Sequence, residues 1–230
     1  MSQAGQAELK VLVTGCGRSG TKFTALLLQR LGLDVRHEKL GRDGIAAWPL
    51  AVRTPTTPWG PAVAPERFGE IFHQVRHPLA VIRSVVTFKP DSWTYVYAHT
   101  SASAADPLVL RGAKYWLEWN EHAERIATWR YRIEDVAAVF DELCERLDVT
   151  ADWSALERLP ADTNTRRYGR VFHYYDEISA RLRLRRVETV AHAVARPQER
   201  PEVSWSTVER LDPRLAARVR AKAETYGYRA

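Results

Sequence analysis

The sequence predicts an α/β fold in which a central parallel sheet carries helices on both faces. Two observations carry this expectation. Short apolar, β-branched runs alternate with longer stretches of helical periodicity, the pattern that builds parallel sheets. The first such run also leads through a glycine-rich turn directly into a helix. At 230 residues the chain suits one large domain with a proper core, so residues 1–230 are read as a single domain.

Residues Leu9 to Gly15 read as a buried strand, because they are short, apolar and ended by glycine. Thr21 to Leu31 read as a helix with Phe23, Leu26, Leu27 and Leu31 on one stripe and Gly32 as its stop. "GLDVRHE" reads as a second short strand reaching Glu38. Pro49, Pro55, Pro58, Pro61 and Pro65 then mark an irregular segment. "EIFHQVRHP" is the next strand, and Pro78 opens the helix that follows it. Residues 89–106 read as a polar loop carrying Trp93, Tyr95 and Tyr97. A long helix is expected from Leu108 to Trp129, then the strand "WRYRI" and the helix "EDVAAVFDELCERLD". Ser206 and Glu209 form a capping box for a last helix that should stop near Gly227.

Composition narrows the partners. The net charge of +6, from 34 basic and 28 acidic residues, favours anionic ligands in general. The charges are spread along the chain, and no helix-turn-helix, zinc-finger or RNP signature is present, so no nucleic-acid partner is expected. Of the two cysteines, Cys16 lies in the glycine turn and Cys144 in a helical pattern, so a disulfide is not expected. The start, MSQAGQAELK, lacks the apolar region of a signal peptide, and no run is long enough for a membrane span. The expectation is a cytoplasmic enzyme.

The chemistry concentrates in "VLVTGCGRSGTKFT", residues 11–24. A Walker A motif reads G-x-x-x-x-G-K-[ST]. Gly15 and Gly20 match that spacing, but Thr21 stands at the lysine position, Lys22 comes one residue late and Phe23 follows it. Gly15, Gly17 and Gly20 let the backbone curl so that several N–H groups face one anion. The helix start adds partial positive charge. Ser19 and Thr21 add hydroxyls, and Arg18 puts a cation inside the loop, none of which a plain strand–helix turn requires. A phosphate or phosphosulfate ligand is therefore expected. A P-loop kinase would also hold Mg²⁺ with an acid near a strand end. Here that position, "QVRHP", offers Arg76, and no metal is expected.

"GCGRSGTK" resembles the 5′-phosphosulfate loop of sulfotransferases that use 3′-phosphoadenosine 5′-phosphosulfate (PAPS). Its arginine is similar to that of the branch containing tyrosylprotein and many bacterial sulfotransferases. The family's second signature is a strand-end arginine with a serine eight residues later, and "VRHPLAVIRS" supplies Arg76 and Ser84 at that spacing. "YRIEDV" resembles the family's "YEDL" segment, and "SWSTVER…YGY" its C-terminal "W-x-x-L…GY" helix. The resemblance implies a P-loop-type three-layer α/β/α fold and no metal. It implies Gly15, Gly17, Arg18, Ser19, Gly20, Thr21 and Lys22 around the 5′-phosphosulfate, with Arg76 and Ser84 on the 3′-phosphate. The chain departs from the family at Lys22, which replaces a hydroxyl, and in lacking the G-x-x-G-x-x-K segment of cytosolic members. Arg166, Arg167 and Arg170 are the candidates to cover the adenosine instead.

Sulfuryl transfer builds charge on a leaving phosphate oxygen. Arg18, always charged and bidentate, suits its neutralisation. The acceptor must lose a proton. Glu38 ends a strand twenty residues after Arg18, close to the distance of the proposed catalytic glutamate in the arginine-type branch. His37 is the rival base, and strand alternation should turn only one of the two into the site. Trp48, Trp59, Trp93, Tyr95 and Tyr97 could line an acceptor pocket or pack loops onto the core. Small-molecule, carbohydrate, lipid and peptide acceptors all fit. The alternatives are an ATP-dependent small-molecule kinase with a divergent P-loop, and a nucleotide-binding protein without catalysis.

Overall fold

The computed structural model describes residues 8–159 and 202–229. Its centre is a five-stranded parallel sheet of order β2-β3-β1-β6-β7, built from β1 (Leu9–Thr14), β2 (Val35–His37), β3 (Gly44–Ala46), β6 (Phe68–Val75) and β7 (Trp129–Arg132). Helices flank the sheet, consistent with the three-layer arrangement expected. A separate hairpin pairs β4 (Thr56–Thr57) with β5 (Gly60–Pro61).

Strand alternation divides the core. Val11 and Val13 of β1 and Phe72 of β6 pack with α1 (Thr21–Arg30) and α5 (Phe140–Arg146). Leu12 and Ile71 turn the other way and join Ile45, Leu50 and Phe68. Val75 contributes to a large aromatic-rich cluster with α2 (Pro78–Ser84), α3 (Pro90–His99), α4 (Leu108–Glu124), α7 (Trp205–Leu211) and α8 (Pro213–Thr225). A short helix, α6 (Trp153–Glu157), adds Ala155 on the α1 side.

The structure differs from the sequence reading at six places, one being the long helix expected over Leu108–Trp129, which ends at Glu124 so that Trp129 opens β7. The buried stripe of α1 is Thr21, Thr24, Ala25 and Leu28 with Leu27, while Phe23, Leu26 and Leu31 are only half-buried. Polar Thr24 belongs to the core side because its hydroxyl finds two buried partners there. The three-residue strand β3 was not foreseen. The polar loop expected at 89–106 contains α3, started by Pro90 at its first position, with Trp93, Tyr95 and Val96 buried. The helix expected over "EDVAAVFDELCERLD" shortens to a 3₁₀ turn, Ile133–Asp135, and α5. At the C-terminus, Ser204 rather than Ser206 caps α7 by accepting the Thr207 N–H. There, one expected helix becomes two, because Asp212 caps α8 and Pro213 opens it. No helix among the described residues is long and apolar enough to cross a membrane.

Candidate functional site

From β1 the chain moves to β2 and β3 on one side of the sheet, and later to β6 and β7 on the other. Such a reversal opens a crevice at the carboxyl ends of the two central strands, the usual ligand position in open α/β sheets. The loop after β1 and Arg76 after β6 both lie at this crevice.

The loop is a tight turn with positive φ at Gly15 (143°), Arg18 (76°) and Gly20 (99°). Its polar groups are held from several elements. The Cys16 carbonyl accepts the Ser19 N–H (3.1 Å) and the Ser19 hydroxyl (2.6 Å). The Gly17 N–H donates to the Tyr115 hydroxyl of α4 (2.6 Å). Arg76 Nη1 donates to the Arg18 carbonyl (3.0 Å), and Gln74 Nε2 to the Ser19 carbonyl (2.6 Å). Gln74 Oε1 in turn accepts the hydroxyls of Thr24 (2.6 Å) and Tyr131 (2.7 Å).

After these bonds, three successive N–H groups, those of Gly20, Thr21 and Lys22, have no acceptor among the described residues. No side chain among the described residues caps α1. Successive amides at a helix start make a cradle for an oxyanion.

The cations arrive from two directions. Arg18 Nη2 donates to the Thr87 carbonyl (3.0 Å), and its guanidinium lies 5.3 Å from the Phe88 ring centroid. Thr87 belongs to the turn just beyond Ser84, and its hydroxyl donates to the Ser84 carbonyl (2.9 Å). Arg76 is half-buried beneath the loop, and no hydrogen bond joins it to Ser84, the half-buried last residue of α2. It is Arg18 that reaches towards the Ser84 turn. Lys22 is exposed on the first turn of α1.

The two base candidates follow one another at the end of β2. His37 Nε2 lies 3.3 Å from the Thr21 hydroxyl. Glu38 is exposed, just past β2, with a left-handed backbone (φ 55°). Strand alternation therefore does not govern the pair, because the strand ends at His37.

An aromatic floor supports the loop. A Cβ on Gly17 would sit 2.8 Å from Phe88 Cζ, 3.1 Å from the Tyr115 oxygen and 3.2 Å from Trp48 Cγ, so only glycine lets the backbone lie this close. Trp48 stacks on Phe88 at 5.4 Å, and Trp48, Trp93, Tyr95, Tyr115 and Trp119 are all buried. Trp48 thus packs its 3₁₀ turn, and Trp93 and Tyr95 pack α3, onto the core. Tyr97 is half-buried against Trp93, and Trp59, in the β4–β5 hairpin, is 53% exposed.

Burial sets the local electrostatics. It pushes the Cys16 thiol well above the ordinary thiol range, which leaves it a poor nucleophile. It also raises the Tyr115 hydroxyl. A Cys16 thiolate would add to that rise, the Gly17 N–H and Arg18 oppose it, and Glu38 adds a smaller increase. Glu38 is thus near enough for its charge to be felt at the floor of the loop. His73, beside Gln74, is pushed down to about 4 by burial, and its Nε2 pairs with Asn120 Oδ1 (2.9 Å), so it is a neutral structural group near pH 7.

Sequence reasoning missed Gln74 and Tyr115, the residues that shape the loop from below. Gln74 had left a signal, a polar side chain inside the apolar run "IFHQV". Arg166, Arg167 and Arg170 lie outside the described residues. Among the described residues, no group of three or more His, Cys, Asp and Glu side chains could hold a metal ion. No protein-family model, curated protein or solved structure matches the chain.

Proposed function

We propose that the protein is a sulfotransferase that moves a sulfuryl group from PAPS to a hydroxyl or amine acceptor. One observation carries the proposal: three N–H groups, at Gly20, Thr21 and Lys22, with no acceptor among the described residues stand at the sheet's switch point, in a loop that Arg76 grips and that contains Arg18. The sequence resemblance at Gly15–Lys22, Arg76 and Ser84 supplies the identity of the anion. A reducing compartment such as the cytoplasm suits its two buried free cysteines.

In this reading the loop amides and Arg18 hold the 5′-phosphosulfate, and Arg76 with Ser84 meets the 3′-phosphate. The acceptor oxygen forms a new S–O bond as the bond from sulfur to the 5′-phosphate oxygen breaks. Adenosine 3′,5′-bisphosphate leaves, its charge met by Arg18 and the amides. Glu38 takes the acceptor proton.

Calorimetry in EDTA tests the nucleotide. Adenosine 3′,5′-bisphosphate is expected to bind without Mg²⁺ and more tightly than ATP. Arg76→Ala should weaken it by about 1.5–3 kcal/mol, the cost of losing a charge-assisted hydrogen bond. Adenosine 5′-phosphosulfate, which lacks the 3′-phosphate, should lose clearly less affinity, its remaining loss coming from the freed Arg18 carbonyl that Arg76 holds in the wild type. Tighter, Mg²⁺-dependent ATP binding would overturn the reading in favour of a kinase.

Glu38→Gln keeps the shape and removes the proton acceptor, so turnover should fall about 10²-fold with little change in PAPS affinity. Single-turnover kinetics at saturating PAPS, with an acceptor found in a phenol, sugar and peptide panel, reads the step. A crippled His37→Gln beside a near-normal Glu38→Gln would move the role to His37.

A further inference from the structure

We infer that Gln74 is a positioning residue that aims the Gly20 N–H at the bound oxyanion. The inference rests on the reading of the loop as an anion site and adds a part of its machinery. A peptide unit is planar and trans, so its C=O and N–H point in opposite directions. Gln74 Nε2 holds the Ser19 carbonyl at 2.6 Å from the buried side. The same peptide's N–H, that of Gly20, is therefore turned away from Gln74. It meets no acceptor among the described residues although Gly20 is itself buried. A buried amide left without a partner is costly, and a ligand oxygen relieves that cost.

The orientation of Gln74 is itself fixed. Its side-chain oxygen accepts two buried hydroxyls, Thr24 (2.6 Å) and Tyr131 (2.7 Å), which also lie 3.0 Å from each other. Flipping the amide would set its NH₂ towards both hydroxyls and its oxygen towards the Ser19 carbonyl oxygen. Acceptor would then face acceptor with no proton between them. Thr24 comes from α1 and Tyr131 from β7, so the sheet and the helix jointly set one loop peptide. A carboxylate or an apolar side chain in place of Gln74 could not donate to Ser19.

Gln74→Met removes the donor at similar length. Its expected effect is about a tenfold loss of affinity for adenosine 3′,5′-bisphosphate, from one misdirected hydrogen bond to a charged oxygen. Adenosine 3′-phosphate, which lacks the 5′-phosphate, should bind the variant as it binds wild type. A purely structural role would lower thermal stability and leave the ratio of the two affinities unchanged, and that outcome overturns the inference. Tyr131→Phe leaves the donor but loosens its aim. It should give a smaller loss of the same ligand-selective kind, which keeps the test decisive should Gln74→Met not fold. If wild type ignores the nucleotide but binds inorganic pyrophosphate, the sulfotransferase reading falls. The same tenfold loss is then sought with pyrophosphate: its presence sustains the role of Gln74 and its absence removes it. Failure of wild type to bind either anion overturns both.

Discussion

If the protein is the sulfotransferase proposed above, replacing Arg18 by alanine is expected to cut sulfuryl transfer by about 10²–10³-fold, the usual cost of removing one preorganised charge-stabilising donor. The backbone gives this prediction a second arm. Arg18 adopts φ 76°, a conformation that costs a side-chain-bearing residue about 1–2 kcal/mol. Arg18→Gly relieves that strain and gives up the contacts to Thr87 and Phe88, so stability should change little while turnover falls as in the alanine variant. Transfer from labelled PAPS to an acceptor that the wild type uses, paired with thermal melts, separates the two readouts. Near-normal turnover in both variants would remove Arg18 from the chemistry. A fall in turnover that follows the fall in stability would make it a structural residue.

Gly15→Ala should be among the most damaging single substitutions for folding. Gly15 has φ 143°, and an added Cβ would stand 2.2 Å from the Gln74 carbonyl oxygen, which belongs to the neighbouring strand backbone and cannot swing aside. The strand pair β1–β6 would have to part at its carboxyl end. A loss above about 4 kcal/mol is expected, in the range reserved for severe backbone conflicts. Gly32→Ala is the control: its φ is 89° with nothing within 4 Å of the added atom, so it carries the conformational cost alone. Chemical denaturation of the two variants compares them, and a Gly15→Ala no worse than Gly32→Ala would mean the strand pair yields easily.

The elements with a strong local pattern were legible in place and type: β1, its loop and α1, then β6 with Pro78 opening the helix after it, the start of α4, and β7. The failures have physical causes. The polar residues of α3 hid a helix whose buried face is made of Trp93, Tyr95 and Val96, although Pro90 marked its start. Three-residue β3 is too short to show a period, and gains its place by pairing with β1 and β2. The Asp212-Pro213 pair, a cap followed by a first-turn proline, was a readable break within the C-terminal helix. Around the loop, the sequence spacing anticipated that Arg18, Thr21 and Arg76 would come together, since the turn after β1 and the end of β6 lie side by side in the sheet. Tyr115 was not anticipated, since only the packing of α4 brings its hydroxyl to Gly17. Glu38 was read as the end of a strand, but a left-handed backbone ends the strand one residue earlier, at His37.

The supports of the loop are distant in sequence: Gln74 stands 55 residues from Ser19, Arg76 stands 58 from Arg18, and Tyr115 stands 98 from Gly17. During synthesis the glycine loop leaves the ribosome long before any of them. Until Tyr115 arrives, nothing holds the Gly17 amide, and Arg18 has no reason to keep an unfavourable backbone. The loop proposed to cradle an anion, though written near the start of the chain, is therefore assembled only once folding has reached α4, and a nascent chain shorter than that carries the sequence without the folded loop.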